Sequence, residues 1–271
     1  MGFYLLSVAL LHGPAVQRGV TFLISEALKD ILHTELSIGR VDLGYFNRII
    51  LDDVRIKDQK KKDLLKAARL SAKIELTSLL HGKISISNVQ LYGFDIHLYQ
   101  RTQKEKPNFQ FLIDIFAKKD SLPSNPNLRI NSVLVRRGKL SWHRYDKSPT
   151  PGRFNPDHIV LDKISATLSL KSYTADSLKL NVKKFSFEEH SGLQLKQLSF
   201  KITANRKKAQ LDHFTIELPH SRLALHPVTM SYRHIKEGNG KGRYQDFTFQ
   251  GSIEQGTFSF ADFIPFYPKS V

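Results

Sequence analysis

The stretch Ile86-Ser87-Asn88-Val89-Gln90-Leu91-Tyr92-Gly93-Phe94-Asp95-Ile96-His97-Leu98 decides the fold. Its apolar positions Ile86, Val89, Leu91, Ile96 and Leu98 return 44 positions on as Ile130, Val133, Val135, Leu140 and Trp142. The opening signature, apolar-x-x-apolar-x-apolar, also recurs at Ile38/Val41/Leu43, Leu51/Val54/Ile56, Val182/Phe185/Phe187, Leu195/Leu198/Phe200 and Leu211/Phe214/Ile216, with a weaker copy at Leu161/Ile164/Ala166. Residues 68 to 76 alternate, with Ala68, Leu70, Ala72, Ile74 and Leu76 on one face and Arg69, Ser71, Lys73 and Glu75 on the other. A period of two is the pattern of strands that are apolar on one face and wet on the other. The copies start at irregular intervals, which excludes a solenoid of fixed period. The x-x step predicts a bulge or turn that resets the side-chain phase as strand after strand joins a growing sheet.

Helical text is scarce. Gly13-Pro14 is a helix-start signal, and Val16, Val20, Leu23, Ile24, Ala27 and Ile31 form the apolar stripe of an amphipathic helix over residues 14–32. Phe109, Leu112, Ile113 and Phe116 predict a second, shorter helix. Upstream, the apolar run Phe3 to Leu11 is about half the ~20 residues that span a bilayer core. It fits either the end of a truncated membrane helix or the start of a surface or core helix. Proline-bearing loops are expected at 122–127 and 146–157, and Gly238, Gly240 and Gly242 mark a hairpin tip. The expected organisation is an end segment at 1–12, a helix-plus-sheet portion at 13–145 and a β continuation at 146–271. Phe258, Phe260, Phe263 and Phe266, close to the last residue, suggest a chain cut within a longer protein.

Among 271 residues, 41 Lys and Arg against 25 Asp and Glu give a formal charge of +16, which favours an anionic partner. Hydrophobic residues make up 41 %, with 18 Phe, enough to exclude wholesale disorder. The absence of cysteine removes disulfides, thiolate metal sites and cysteine nucleophiles. Lys57, Lys60, Lys61, Lys62, Lys66, Arg69 and Lys73 face only Asp58 and Asp63 between 57 and 74, which reads as a solvated hairpin tip and the wet face of the next strand. Aromatics are not interleaved with these cations as in single-strand binders, so nucleic acid is not the expected partner, and a basic nucleic-acid-binding module is the last alternative, motivated by the charge alone. Glu188, Glu189 and His190 are consecutive, and His220 and His226 are six apart. Neither is a metal-ligand spacing, and both read as exposed strand-end polar residues. Asp52 and Asp53 would point to opposite faces of a strand and could not share a proton. With no nucleophile motif, the reading is non-enzymatic, without cofactor or metal.

The order of these pieces resembles the N-terminal part of the TamB proteins of the AsmA-like superfamily, in their Bacteroidetes-type form. The carriers are the first helix, then Leu36-Ser37-Ile38-Gly39-Arg40-Val41-Asp42-Leu43, Leu51-Asp52-Asp53-Val54-Arg55-Ile56 and Ile96-His97-Leu98-Tyr99. Further on come Asn108-Phe109-Gln110-Phe111-Leu112-Ile113, Gly138-Lys139-Leu140-Ser141-Trp142 and Phe154-Asn155-Pro156. The chain departs from that family in lacking a complete membrane helix and a long C-terminal β region.

The resemblance implies a mainly β protein with an N-terminal amphipathic α-helix. Its elongated, curved, antiparallel-rich sheet would form an open apolar groove of the β-taco, chorein-like kind. It implies inner-membrane anchoring, a periplasmic location, and phospholipid transport between the inner and outer membranes. The alternative is a scaffold for outer-membrane protein assembly by β-augmentation, with an outer-membrane assembly protein as partner. The expected lining is Ile86, Val89, Leu91, Ile96, Leu98, Val133, Val135, Leu140, Phe185, Phe187, Leu198, Phe200, Phe214 and Ile216, with the helix stripe Val16 to Ile31 plugging one end. From periodicity alone the same side chains fit a closed β core equally well.

Overall fold

Strand follows strand along nearly the whole chain in the computed structural model, which describes residues 32–44, 48–74, 86–117, 131–174, 177–236 and 242–267. The strands are β1 (Leu36–Ser37), β2 (Arg40–Gly44), β3 (Arg48–Lys57), β4 (Asp63–Ile74), β5 (Ile86–Gln100), β6 (Ser132–Arg144) and β7 (His158–Thr174). They continue as β8 (Ser177–Glu189), β9 (Gln194–Asn205), β10 (Lys208–Glu217), β11 (Arg222–Leu225), β12 (Val228–Lys236), β13 (Gly242–Gln250) and β14 (Ile253–Thr257). A helix, α1 (Gln110–Ala117), stands where the second helical pattern predicts one, and a 3-10 helix covers Phe260–Phe266. The first amphipathic pattern, with Val16, Val20, Leu23, Ile24, Ala27 and Ile31, lies outside the described residues.

All fourteen strands belong to one open sheet ordered β1-β3-β4-β5-β6-β7-β8-β9-β10-β11-β14, with β2 beside β1 on β3, and β12 on β10 carrying β13. The pairs are antiparallel except β5 with β6, whose parallel register keeps the 44-residue offset: Val89 faces Val133, Leu91 faces Val135 and Ile96 faces Leu140. A parallel pair needs a crossover, and the segment containing α1 supplies it. The pairing of β6 with β7 across the 145–157 loop makes one sheet of the two portions.

The x-x steps are where the phase resets. Asp53, Lys163 and His213 occupy the second x of their copies with φ of 53° each, in the left-handed region that β-branched residues avoid. The register shifts at Asp162/Ser165, Val182/Phe185 and Asp212/Thr215, as bulges require. Gly93 (φ 58°) and Arg137 (φ 55°) mark one further step each in β5 and β6, again 44 apart. The alternation expected over 68–76 needs one correction. Ala67 is buried and Ala68 exposed, because the phase also changes in β4, between Ala67 and Leu70.

Candidate functional site

Residues directly opposite one another in neighbouring strands share a face, so the register defines what each face carries. A first ladder begins Val41–Leu51–Leu70–Leu91–Val135 across β2 to β6. It continues Ala166–Phe185–Leu198–Ile216–Leu223 across β7 to β11. Ten strands contribute one apolar residue each, an unbroken row roughly 43 Å long at the usual ~4.8 Å strand spacing.

A second ladder runs Ile49–Ala72–Val89–Val133–Leu168–Val182–Phe200, two residues away along each strand except β8, where the bulge adds one more. A third runs Leu36–Ile56–Leu65–Ile96–Leu140–Leu161 and ends opposite Glu189. Between the first and third lies a seam of buried positions: Val54, Ala67, Phe94, Gly138 and Ile164. A Cβ at Gly138 would stand 1.9 Å from the Phe94 ring, so the glycine is the seat of that ring.

The expected lining residues are thus sorted. Leu91, Val135, Phe185, Leu198 and Ile216 fall on the first ladder, Val89, Val133 and Phe200 on the second, and Ile96 and Leu140 on the third. Phe187 lies against Phe185, with ring centroids 5.6 Å apart. Phe214 stands two residues before Ile216 beyond the His213 bulge, and Leu98 faces Trp142, which meets Phe109 edge-on at 6.2 Å. Ile86 pairs with Ile74 at the start of β5; its side chain lies outside the described residues. Every other expected lining residue is half-buried, neither sealed nor fully in water. Sequence reading did not assign Leu70, Leu168, Leu223 or the seam residue Phe94 to the lining; the cross-strand register was the missing signal.

The opposite face is polar and its charges are largely self-paired at the β2–β4 end. Asp52 accepts from Arg69 Nε at 2.7 Å and Arg40 at 3.2 Å. The Arg69 hydrogen bond chiefly holds its carboxyl below the ordinary range. Asp53 lines the same 860 Å³ cleft as Asp52, because its left-handed backbone keeps both on one face, contrary to the strand expectation.

Three buried carboxylates pin the sheet along one rim. Asp58, 2 % exposed in the β3–β4 turn, accepts from the Tyr99 hydroxyl and the Lys60 and Lys62 amides at 2.7–2.9 Å. Burial pushes this carboxyl up, but those hydrogen bonds and Asn108 outweigh it and leave it below its ordinary value. Burial, reinforced by Asp58, raises the Tyr99 phenol. Glu189 accepts from the amide and hydroxyl of Ser191 in the β8–β9 turn, and Asp262 accepts from the amide and ring of His220. Glu189 is therefore buried, contrary to the exposed strand-end position the sequence suggested, whereas His220 is exposed as expected while bonded to Asp262. Among the described residues no group of three or more His, Asp or Glu could hold a metal ion, and no helix is long and apolar enough to cross a membrane.

The site so defined belongs to a mainly β protein whose one open sheet is apolar on one face. Neither the protein-family models nor the curated proteins compared with this chain gave a match.

Proposed function

We propose that this chain is a non-enzymatic lipid-handling module whose apolar face forms an open groove for the acyl chains of phospholipid. The supporting observation is the first ladder: ten consecutive strands without a polar interruption, half-open wherever the expected lining falls on it. Exposing a ~16-carbon chain to water costs on the order of 10 kcal/mol at ~0.8 kcal/mol per CH₂, so a carrier needs continuous apolar contact. The resemblance to TamB proteins supports placing the module in a bacterial envelope, anchored at the inner membrane and facing the periplasm, with phospholipid passing towards the outer membrane.

The test is mass spectrometry of lipid retained after gentle purification. Wild-type protein is expected to carry phospholipid, and Phe200→Asp or Leu198→Asp to carry several-fold less while keeping the β circular dichroism. Folded variants that retain undiminished lipid would refute the groove.

A second reading, strand capture by edge pairing, is favoured by β13 and β14. Among the described residues each is paired on one side only, and Phe249 within β13 is 71 % exposed. Crosslinks from β13 to an unfolded outer-membrane polypeptide, without lipid capture on the ladders, would select it.

A further inference from the structure

The apolar face is not uniform, and the division follows from two contacts. Phe94 is only 4 % exposed and its ring fills the space above Gly138, while Ile164 faces Gly138 from the next strand at 7 % exposure. This close-packed seam lies between the first and third ladders over β5 to β7, within the core against which Leu91, Val135, Ile96 and Leu140 pack. On its far side the third ladder stops at Glu189, which is buried and held by Ser191. On its near side the first ladder continues through Phe185, Leu198 and Ile216 to Leu223.

We propose that Phe94, seated on Gly138, is the wall that confines an acyl chain to the first and second ladders, and that the third ladder is a blind branch closed by Glu189. The inference rests on the reading of this face as a lipid site and assigns within it the specificity-determining residue. Hydrocarbon follows the row in which each step meets another apolar side chain. To enter the third ladder it would have to displace a close-packed ring and then end against a carboxylate. The first two ladders lie about 7 Å apart, two residues along a strand, which gives the substrate a track bounded on one side by the close-packed seam.

The experiment places a photoreactive benzoylphenylalanine singly at Val133, Leu198, Leu140 or Leu161 in the full chain. Each protein is illuminated with vesicles of phosphatidylethanolamine and phosphatidylglycerol, and lipid adducts are read by mass. Capture at Val133 and Leu198 is expected to exceed that at Leu140 and Leu161 several-fold. Phe94→Leu, which shortens the wall and keeps the seam apolar, is expected to raise capture at Leu140 towards that at Val133, and Phe94→Met serves if the leucine variant does not fold. Equal capture at all four positions of the otherwise wild-type protein overturns the wall and leaves the lipid reading standing. Unchanged exclusion at Leu140 in the folded Phe94 variants overturns the role of Phe94. Capture at none of the four overturns the lipid reading and the wall with it.

Discussion

The Tyr99 hydroxyl donates to the Asp58 carboxylate at 2.7 Å, joining the end of β5 to the β3–β4 turn 41 residues earlier. The same carboxylate takes the Lys60 and Lys62 amides, and Asn108 reaches it at 3.4 Å while donating its own backbone amide to the Tyr99 carbonyl at 2.9 Å. Asp58→Ala strands four donors at once. It is expected to cost about 2–3 kcal/mol in urea unfolding, with Tyr99→Phe losing about 1 kcal/mol.

The pH dependence follows from the same bond. The folded-state pKa of Asp58 lies below its ordinary 3.8, so its stabilisation is present above that pH and is lost as the pH falls through the lower folded value. Asp262 behaves alike, since the upward push of burial is outweighed by hydrogen bonds from Ser221 and His220. Urea midpoints measured between pH 6 and pH 3 are expected to fall more steeply for the wild-type protein than for an Asp58→Asn variant. Parallel slopes would exclude Asp58 as the titrating group.

Gly138 and Phe94 are coupled. With the Phe94 ring 1.9–2.6 Å from the place an alanine methyl would take, Gly138→Ala is expected to cost about 1–3 kcal/mol through overpacking. Combining it with Phe94→Leu is expected to recover much of that loss, and a double-mutant cycle measures the coupling. Strict additivity of the two substitutions would contradict the seating.

Arg137 holds φ of 55° at a bulge in β6. A side chain in that region carries a conformational penalty that glycine does not, about 1 kcal/mol before the greater freedom of an unfolded glycine is counted. Arg137→Gly is therefore expected to leave stability unchanged or raise it by a few tenths of a kcal/mol, read as the urea midpoint. Gly93→Val, at φ 58° with Ala68 3.1 Å from the new Cβ, is expected to destabilise.

Much of this was readable from the chain. Leu91 and Val135, or Val182 and Phe200, announce their face because large apolar residues mark the period and the x-x step marks the slip. Ala67 and Ala68 do not: two adjacent alanines carry no sign of which is inward, so the phase change in β4 was invisible. Phe94 and Gly138 sit at corresponding places of the two repeated strands, yet only parallel pairing in register brings ring and glycine together. Asp58 stood in a run of lysines and looked solvated. Its burial depends on Tyr99 and Asn108, which no local pattern connects to it.

The three buried carboxylates share a location with mechanical meaning. Asp58, Glu189 and Asp262 stand along a single margin of the sheet, the first taking the Tyr99 hydroxyl of β5, the second the Val160 amide of β7 at 3.5 Å and the third the His220 amide of the β10–β11 turn. A sheet stitched along one hem keeps its strands at fixed separation there, so any widening to admit a bulkier guest must fan outward from the hem towards the other margin.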